Sequence, residues 1–131
     1  MQSIPLVFFL TVAILVGGCN TTPHPTRLTY EYVLSESQIT GLAKKAQAGD
    51  ATAAFRLYEY YHLVSYDRDK AISWLTKSAN NGNVVAQYNM GMMYNGEIYP
   101  DLTDIKKAEY WFKRAADNGD IKARRKLEEL Q

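Results

Sequence analysis

The sequence predicts an all-α fold, a short α-solenoid in which two full helical-hairpin repeats are flanked by half-repeat helices. Three observations carry that expectation. The stretch DKAISWLTKSANNG of residues 69–82 is written again as IKKAEYWFKRAADNG in residues 105–119, with Trp, Lys and small residues in matching places. Gly followed by Asp or Asn occurs at Gly49-Asp50, Gly82-Asn83 and Gly119-Asp120; the glycine suits the left-handed residue that closes a helix, and the polar residue after it caps the next one. Apolar residues between those steps fall three and four apart, a helical rather than a strand period.

Along the chain, Ser35-Glu36-Ser37-Gln38 fits a capping box, whose Ser and Gln side chains satisfy backbone donors at a helix start. A helix is predicted through ITGLAKKAQA to a stop at Gly49. Asp50 then caps ATAAFRLYEYYHL, where Ala53, Phe55, Leu57, Tyr60 and Tyr61 keep helical spacing. Asp67 or Asp69 caps KAISWLTKSAN, which stops at Gly82, and Asn83 caps VVAQYNMGMMYN. A longer loop, GEIYPDLTD, precedes KKAEYWFKRAADN, and Asp120 opens the last helix, IKARRKLEEL. Ahead of all of these, Tyr30, Tyr32 and Leu34 alternate with polar residues, a pattern that suits a short extended segment lying on the domain.

The N-terminal end reads differently. Residues 4–16, IPLVFFLTVAILV, form an apolar run shorter than the roughly 18 residues a bilayer-spanning helix needs. The run fits the apolar core of a secretory signal, although no Lys or Arg precedes it. The sole cysteine closes it in Val16-Gly17-Gly18-Cys19, which resembles the lipobox of bacterial lipoproteins. That resemblance implies a signal peptide at 1–18, acylation of Cys19, a lipidated N-terminus and linker at 19–34, and a folded domain at 35–131. Asn20 after the cysteine, where Asp would imply inner-membrane retention, implies the periplasmic face of the outer membrane. A single cysteine makes neither an internal disulfide nor a multi-thiolate metal site.

The chain carries 15 basic and 14 acidic residues, a net charge of +1. Phosphate backbones are bound by a concentrated basic face, so this balance argues against nucleic acid. His24 and His62 have no Cys, Asp or Glu partner at metal-binding spacing. No Gly-x-Ser-x-Gly elbow, phosphate loop or His-Glu-x-x-His stretch occurs. Glu128 and Glu129 are adjacent in a helix and point apart, which does not suit paired-carboxylate chemistry. The expectation is a protein that is not an enzyme and takes no cofactor.

Aligned on its glycines, the chain shows its period. Ala53, Leu57 and Tyr61 recur 33 residues on as Ala86, Met90 and Tyr94, and Ala71, Trp74, Leu75, Ala79 and Gly82 recur 37 residues on as Ala108, Trp111, Phe112, Ala116 and Gly119. The difference is an insertion in the loop holding Tyr99 and Pro100. One hairpin cannot bury its apolar face alone, so neighbours stack and the end helices cap the stack with polar faces. Lys44, Lys45, Lys122, Arg124 and Lys126 suit such faces. The spacings Leu57-x3-Tyr61 and Met90-Gly91-x2-Tyr94 follow tetratricopeptide logic, and the variable inter-helix loop with the ending Lys-Arg-Ala-Ala-x-x-Gly resembles its relative, the Sel-like repeat. Tyr58 departs from that pattern where the second copy keeps Gly91, which either changes the first hairpin's angle or turns Tyr58 outward.

In repeats of this type the first helices line the concave face. The resemblance therefore places Phe55, Tyr88 and Arg125 in one row, Glu59, Met92 and Glu129 in another, and His62 and Asn95 at the mouth. Rows mixing aromatic residues, Met, Arg and carboxylates suit a protein-binding surface, although Phe55 and Tyr88 equally suit the inner edge of the core. Tyr99 in the inserted loop is a second candidate. Trp74 and Trp111, repeated beside alanines, read as core. The whole resembles small lipid-anchored Sel-like proteins, and among them immunity proteins that bind and occlude phospholipase effectors of type VI secretion. It implies a monomer with a protein partner, held to a membrane through N-terminal acyl chains. An adaptor of an envelope machine, or a surface lipoprotein that binds a host protein, stays open.

Overall fold

A computed structural model describes residues 31–130, and Cys19 with the signal peptide expected at 1–18 lies outside those residues. Among the described residues six α-helices follow one another: α1 (Glu36–Gln47), α2 (Ala51–Leu63), α3 (Arg68–Asn80), α4 (Val84–Tyr94), α5 (Ile105–Asp117) and α6 (Ile121–Glu129). A 3₁₀ turn, Pro100–Leu102, lies between α4 and α5. Among the described residues there is no strand, and no helix is long and apolar enough to cross a membrane. Each helix packs on the next, and α4 also touches α6 directly, so these two first helices meet along one side of the stack.

The helix boundaries follow from side-chain chemistry. Ser35 and Gln38 form the reciprocal capping box expected at α1. Asp50, Asp67, Asn83, Asp104 and Asp120 each accept from a backbone N–H in the first turn of the helix they open. The cap of α3 is therefore Asp67 rather than Asp69. Gly49, Gly82 and Gly119 take φ between +94° and +102°, the left-handed region in which a Cβ is disfavoured. Glu31 and Tyr32, expected to be extended, are helical instead.

Small residues let the helices approach. Ala46, Ala54, Ala71, Ala79, Ala86, Ala108, Ala115 and Ala123 are fully buried. Leu57, Leu75, Met90, Met93 and Phe112 fill the space around them. The core runs as three consecutive clusters: one between α1 and α2, one shared by α2 through α5, and one joining α4, α5 and α6. Trp111 is buried as expected, whereas Trp74 is only half-buried and bridges the first two clusters. Two polar side chains are buried with partners. Ser78 donates to the Ala51 carbonyl at 2.7 Å; Gln87 donates to the Ala79 carbonyl and accepts from Asn118, which ties three helices together.

The two hairpins solve close packing in opposite ways. A Cβ built on Gly91 would overlap the fully buried Phe112 ring. In the first hairpin the matching pair is Tyr58 and Leu75, with the large residue on the first helix. Tyr58 is 5 % exposed, so it points into the core and not outward. The pair exchanges bulk across the seam and keeps the volume filled.

Candidate functional site at the mouth of the hairpins

The C-terminal ends of α2 and α4 and the two loops that follow them meet at one end of the stack. His62, in the last turn of α2, lies with Nδ1 3.0 Å from the Tyr99 hydroxyl in the inserted loop. Its ring stacks on Tyr58 at 5.3 Å and meets Tyr99 edge-on at 5.9 Å. The Arg68 guanidinium lies 4.6 Å above the Tyr99 ring and pairs with Asp101 at 2.6 Å. The groove mouth and the inserted loop, which the sequence offers as separate candidates, form one continuous rim.

Electrostatics at the rim follow from burial and pairing. Burial lowers the His62 pKa, so the neutral imidazole is favoured and a bare Nδ1 can accept from the Tyr99 hydroxyl. Burial, with Tyr99 and Glu59 nearby, pushes the Tyr58 phenol up to about 12. Tyr99 is raised by burial against the opposing charge of Arg68. The hydrogen bond between Arg68 and Asp101 raises the guanidinium and lowers the carboxyl. Lys70 is likewise held by Asp67 at 2.9 Å. These pairs spend the rim's cations on its own carboxylates, and a groove of about 300 Å³ is left lined by Tyr61, His62, Leu63, Tyr66, Arg68 and Tyr99.

Tyr66 is the residue the sequence did not single out. Its φ of 54° is the positive value found outside glycine among the described residues, and its side chain is 81 % exposed. A bulky residue in the left-handed region costs about 1–2 kcal/mol, and here no packing offsets it. Gly96, with φ +83°, takes the left-handed position in the second loop without that cost. A signal was present, since the turn between two capped helices needs such a residue and Val64-Ser65-Tyr66 contains no glycine.

A second group forms beside the rim. Asn95 donates to Glu97 at 2.6 Å, Lys126 pairs with Glu97 at 3.0 Å, and Lys126 also pairs with Glu129 at 3.1 Å. Burial would raise the Glu97 carboxyl, but hydrogen bonds from Lys126 and Asn95 outweigh it and hold it low. Burial raises the Tyr88 phenol, partly offset by the charge of Lys126. Asn95 and Glu129 thus come together, through Glu97 and Lys126, which the sequence did not nominate. Tyr88 and Met92 also pack on the C-terminal cluster, with the Tyr88 ring 5.7 Å from Phe112, so they are half core and half groove. Phe55 is half-buried against Tyr58, Glu59 pairs with Arg56, and Arg125 is exposed.

A groove of about 660 Å³ lies elsewhere, between α5 and α6 around Tyr110, Lys113 and Leu127. It is the open side of the last hairpin, where a further helix of a longer solenoid would stack, and alternating charges line it. The rim is the stronger candidate because strain, aromatic exposure and cross-loop bonding coincide there. Among the described residues, no three His, Cys, Asp or Glu side chains converge to hold a metal ion.

A solved Sel1 repeat protein from Oxalobacter formigenes is 24 % identical, covering 70 % of this chain and 97 % of its own, with a TM-score of 0.38. The uncharacterized protein YibG of Escherichia coli (strain K12) is 39 % identical over 109 residues, which span 81 % of this chain and 69 % of that protein. The Sel1 repeat model matches residues 45–83 and 84–120, the two hairpin units that the glycines delimit. The chain belongs to the Sel1 repeat family, whose helical repeats serve as protein-interaction scaffolds.

Proposed function

We propose that this chain is a lipid-anchored protein-binding module at the periplasmic face of the outer membrane, and that its partner is a secreted phospholipase effector which it occludes as an immunity protein. The observation that carries the binding site is the His62–Tyr99 bond. It joins the first-helix groove and the inserted loop into one aromatic rim whose charges are already paired. Tyr61, Leu63, Tyr66 and Tyr99 offer apolar and aromatic surface of the kind that supplies binding anchors. Such a surface fits the apolar face with which a lipase meets its membrane. An anchor at Cys19 keeps the binder where an incoming lipase acts, which raises its effective concentration there.

The test is protection in cells. A secreted phospholipase, if the neighbouring gene encodes one, is directed to the periplasm, and survival is scored with the wild type, Cys19→Ser and Tyr99→Ala. Wild type protects, and each variant protects less. A neighbouring gene that encodes no secreted toxin, or equal killing with and without the wild type, overturns the immunity reading. Recovery of an envelope-apparatus component by affinity capture would instead support the adaptor reading.

A further inference from the structure

The second helices of the stack align without gaps. Gln38, Gly41, Leu42 and Lys45 of α1 stand 33 residues before Ala71, Trp74, Leu75 and Ser78 of α3. Those stand 37 residues before Ala108, Trp111, Phe112 and Ala115 of α5. In α3 and α5 the positions are packed: the two alanines of α5, Ala71 and Ser78 are fully buried, Trp111 is buried and Trp74 half-buried. In α1, by contrast, Gln38, Gly41 and Lys45 are exposed. Beside them lies an apolar groove of about 390 Å³, lined also by Leu34, Leu42 and Arg56. A Cβ built on Gly41 would meet nothing within 4 Å. The glycine leaves open the place in the repeat where the other two copies carry an indole.

The chemistry of the groove narrows what fits it. Leu34 and Leu42 belong to the Ala46–Leu57 cluster and supply an apolar floor. Lys45 and Arg56 are the charged residues of the lining, which holds no carboxylate. Arg56 is shared with Glu59 at 3.3 Å, whereas Lys45 has no ion-pair partner among the described residues. The chain's own residues 20–30 carry Arg27 and neither Asp nor Glu, so their charge does not complement the groove. In the second hairpin Gly91 receives the ring of Phe112 from the facing helix. Gly41 is a glycine of the same kind with no ring opposite it.

We propose that this groove receives an amphipathic helix of a partner protein, which brings an aromatic side chain to the space over Gly41 and carboxylates to Lys45 and Arg56. An aromatic anchor in an apolar pocket, flanked by complementary charge, is the usual form of a binding hot spot, and a helix laid in a groove is a common way to present one. The helix would stand to α1 as α2 stands to α3. The groove shares no lining residue with the His62–Tyr99 rim. It is a second binding surface, independent of the immunity and anchoring readings.

The probe is a displayed library of helical peptides randomised along one face, selected against the full-length chain in detergent micelles. Enriched peptides should carry Trp, Phe or Tyr one helical turn from Asp or Glu, and a labelled peptide of that sequence should bind in a fluorescence-anisotropy titration. Replacing its aromatic residue by Ala, or its carboxylates by Lys, should weaken binding roughly tenfold. Gly41→Trp should fill the groove and weaken binding by a similar factor with an unchanged circular-dichroism spectrum. Lys45→Glu should weaken it without filling the groove, and the Lys-bearing peptide should recover part of the loss. No enrichment, enriched peptides without that pattern, or binding indifferent to both protein variants overturns the proposal. Self-association of the wild type that Gly41→Trp abolishes also overturns it, because a second copy would then be the occupant. So does binding that appears only after residues 20–30 are replaced by a Gly-Ser linker, since the chain would then cover its own groove. None of these readouts uses a lipase or an acyl anchor, so failure of the function proposed above leaves them unchanged.

Discussion

Gly91→Ala sets two opposing effects against each other inside α4. Replacing a mid-helix glycine by alanine favours the helix by about 1 kcal/mol. The added methyl, however, would sit under 3.0 Å from three carbons of the Phe112 ring. That ring is fully buried between α4, α5 and α6, so it has nowhere to turn. Overpacking of this kind costs about 1–3 kcal/mol, and three overlapping atoms place it at the upper end. The expected net loss is about 2 kcal/mol, a fall in Tm of roughly 10 °C for a domain near 100 residues. Phe112→Leu by itself should cost about 1–2 kcal/mol through the cavity it leaves. Combined, the two changes recreate the bulk-exchange logic of the first hairpin, so their effects should not add. A favourable coupling of about 1 kcal/mol or more is expected from urea titrations followed by circular dichroism. A stabilised Gly91→Ala protein, or strictly additive changes, would refute the close contact and the register drawn from it.

Four further outcomes are expected. Tyr66→Gly should raise stability by up to about 1–2 kcal/mol by relieving the left-handed backbone, while weakening protection against the partner; thermal unfolding and the survival assay read the opposite signs. Burial lowers the His62 pKa, so the unfolded state binds the proton more readily, and stability should fall as pH drops from 7 through the ordinary histidine value toward 5 and level off below the depressed native value. His62→Gln should flatten that dependence in denaturant titrations. Trp111→Ala should cost about 3–5 kcal/mol, enough to unfold much of the chain at 37 °C, since Trp111 is 7 % exposed within the central cluster. Tyr88→Asp should impair both partner binding and stability, because its ring packs on Phe112 and it is only half-buried; a loss of binding with an unchanged melting curve would mean that the ring contributes nothing to the core.

The helices were legible because their signals are local. A cap needs only a side chain two or three residues from the amide it serves, and a helix stop needs only a residue that accepts positive φ. Ser35, Asp50, Asn83 and Asp120, and the three closing glycines, therefore carry their meaning in the sequence itself. The repeat was legible for a related reason, since Ala71 and Ala108, or Leu57 and Met90, meet the same neighbours in each copy. The candidate site was legible only in part. His62, Asn95 and Tyr99 could be nominated, but Arg68 and Lys126 lie on other elements, and Glu97 and Asp101, though in the same loop as Tyr99, take their roles from pairing with those two.

What the sequence determined by itself is the succession of helices, their punctuation and the hairpin register, all properties set within one turn or repeated from copy to copy. The tertiary structure decided which way Tyr58 points, by giving it the room that Leu75 leaves where Phe112 fills the second hairpin. It also decided that His62 and Tyr99, 37 residues apart, share a hydrogen bond, and that Lys126 reaches Glu97. Those meetings depend on the path of an inserted loop and on volumes exchanged across a seam, and periodicity along one chain carries neither.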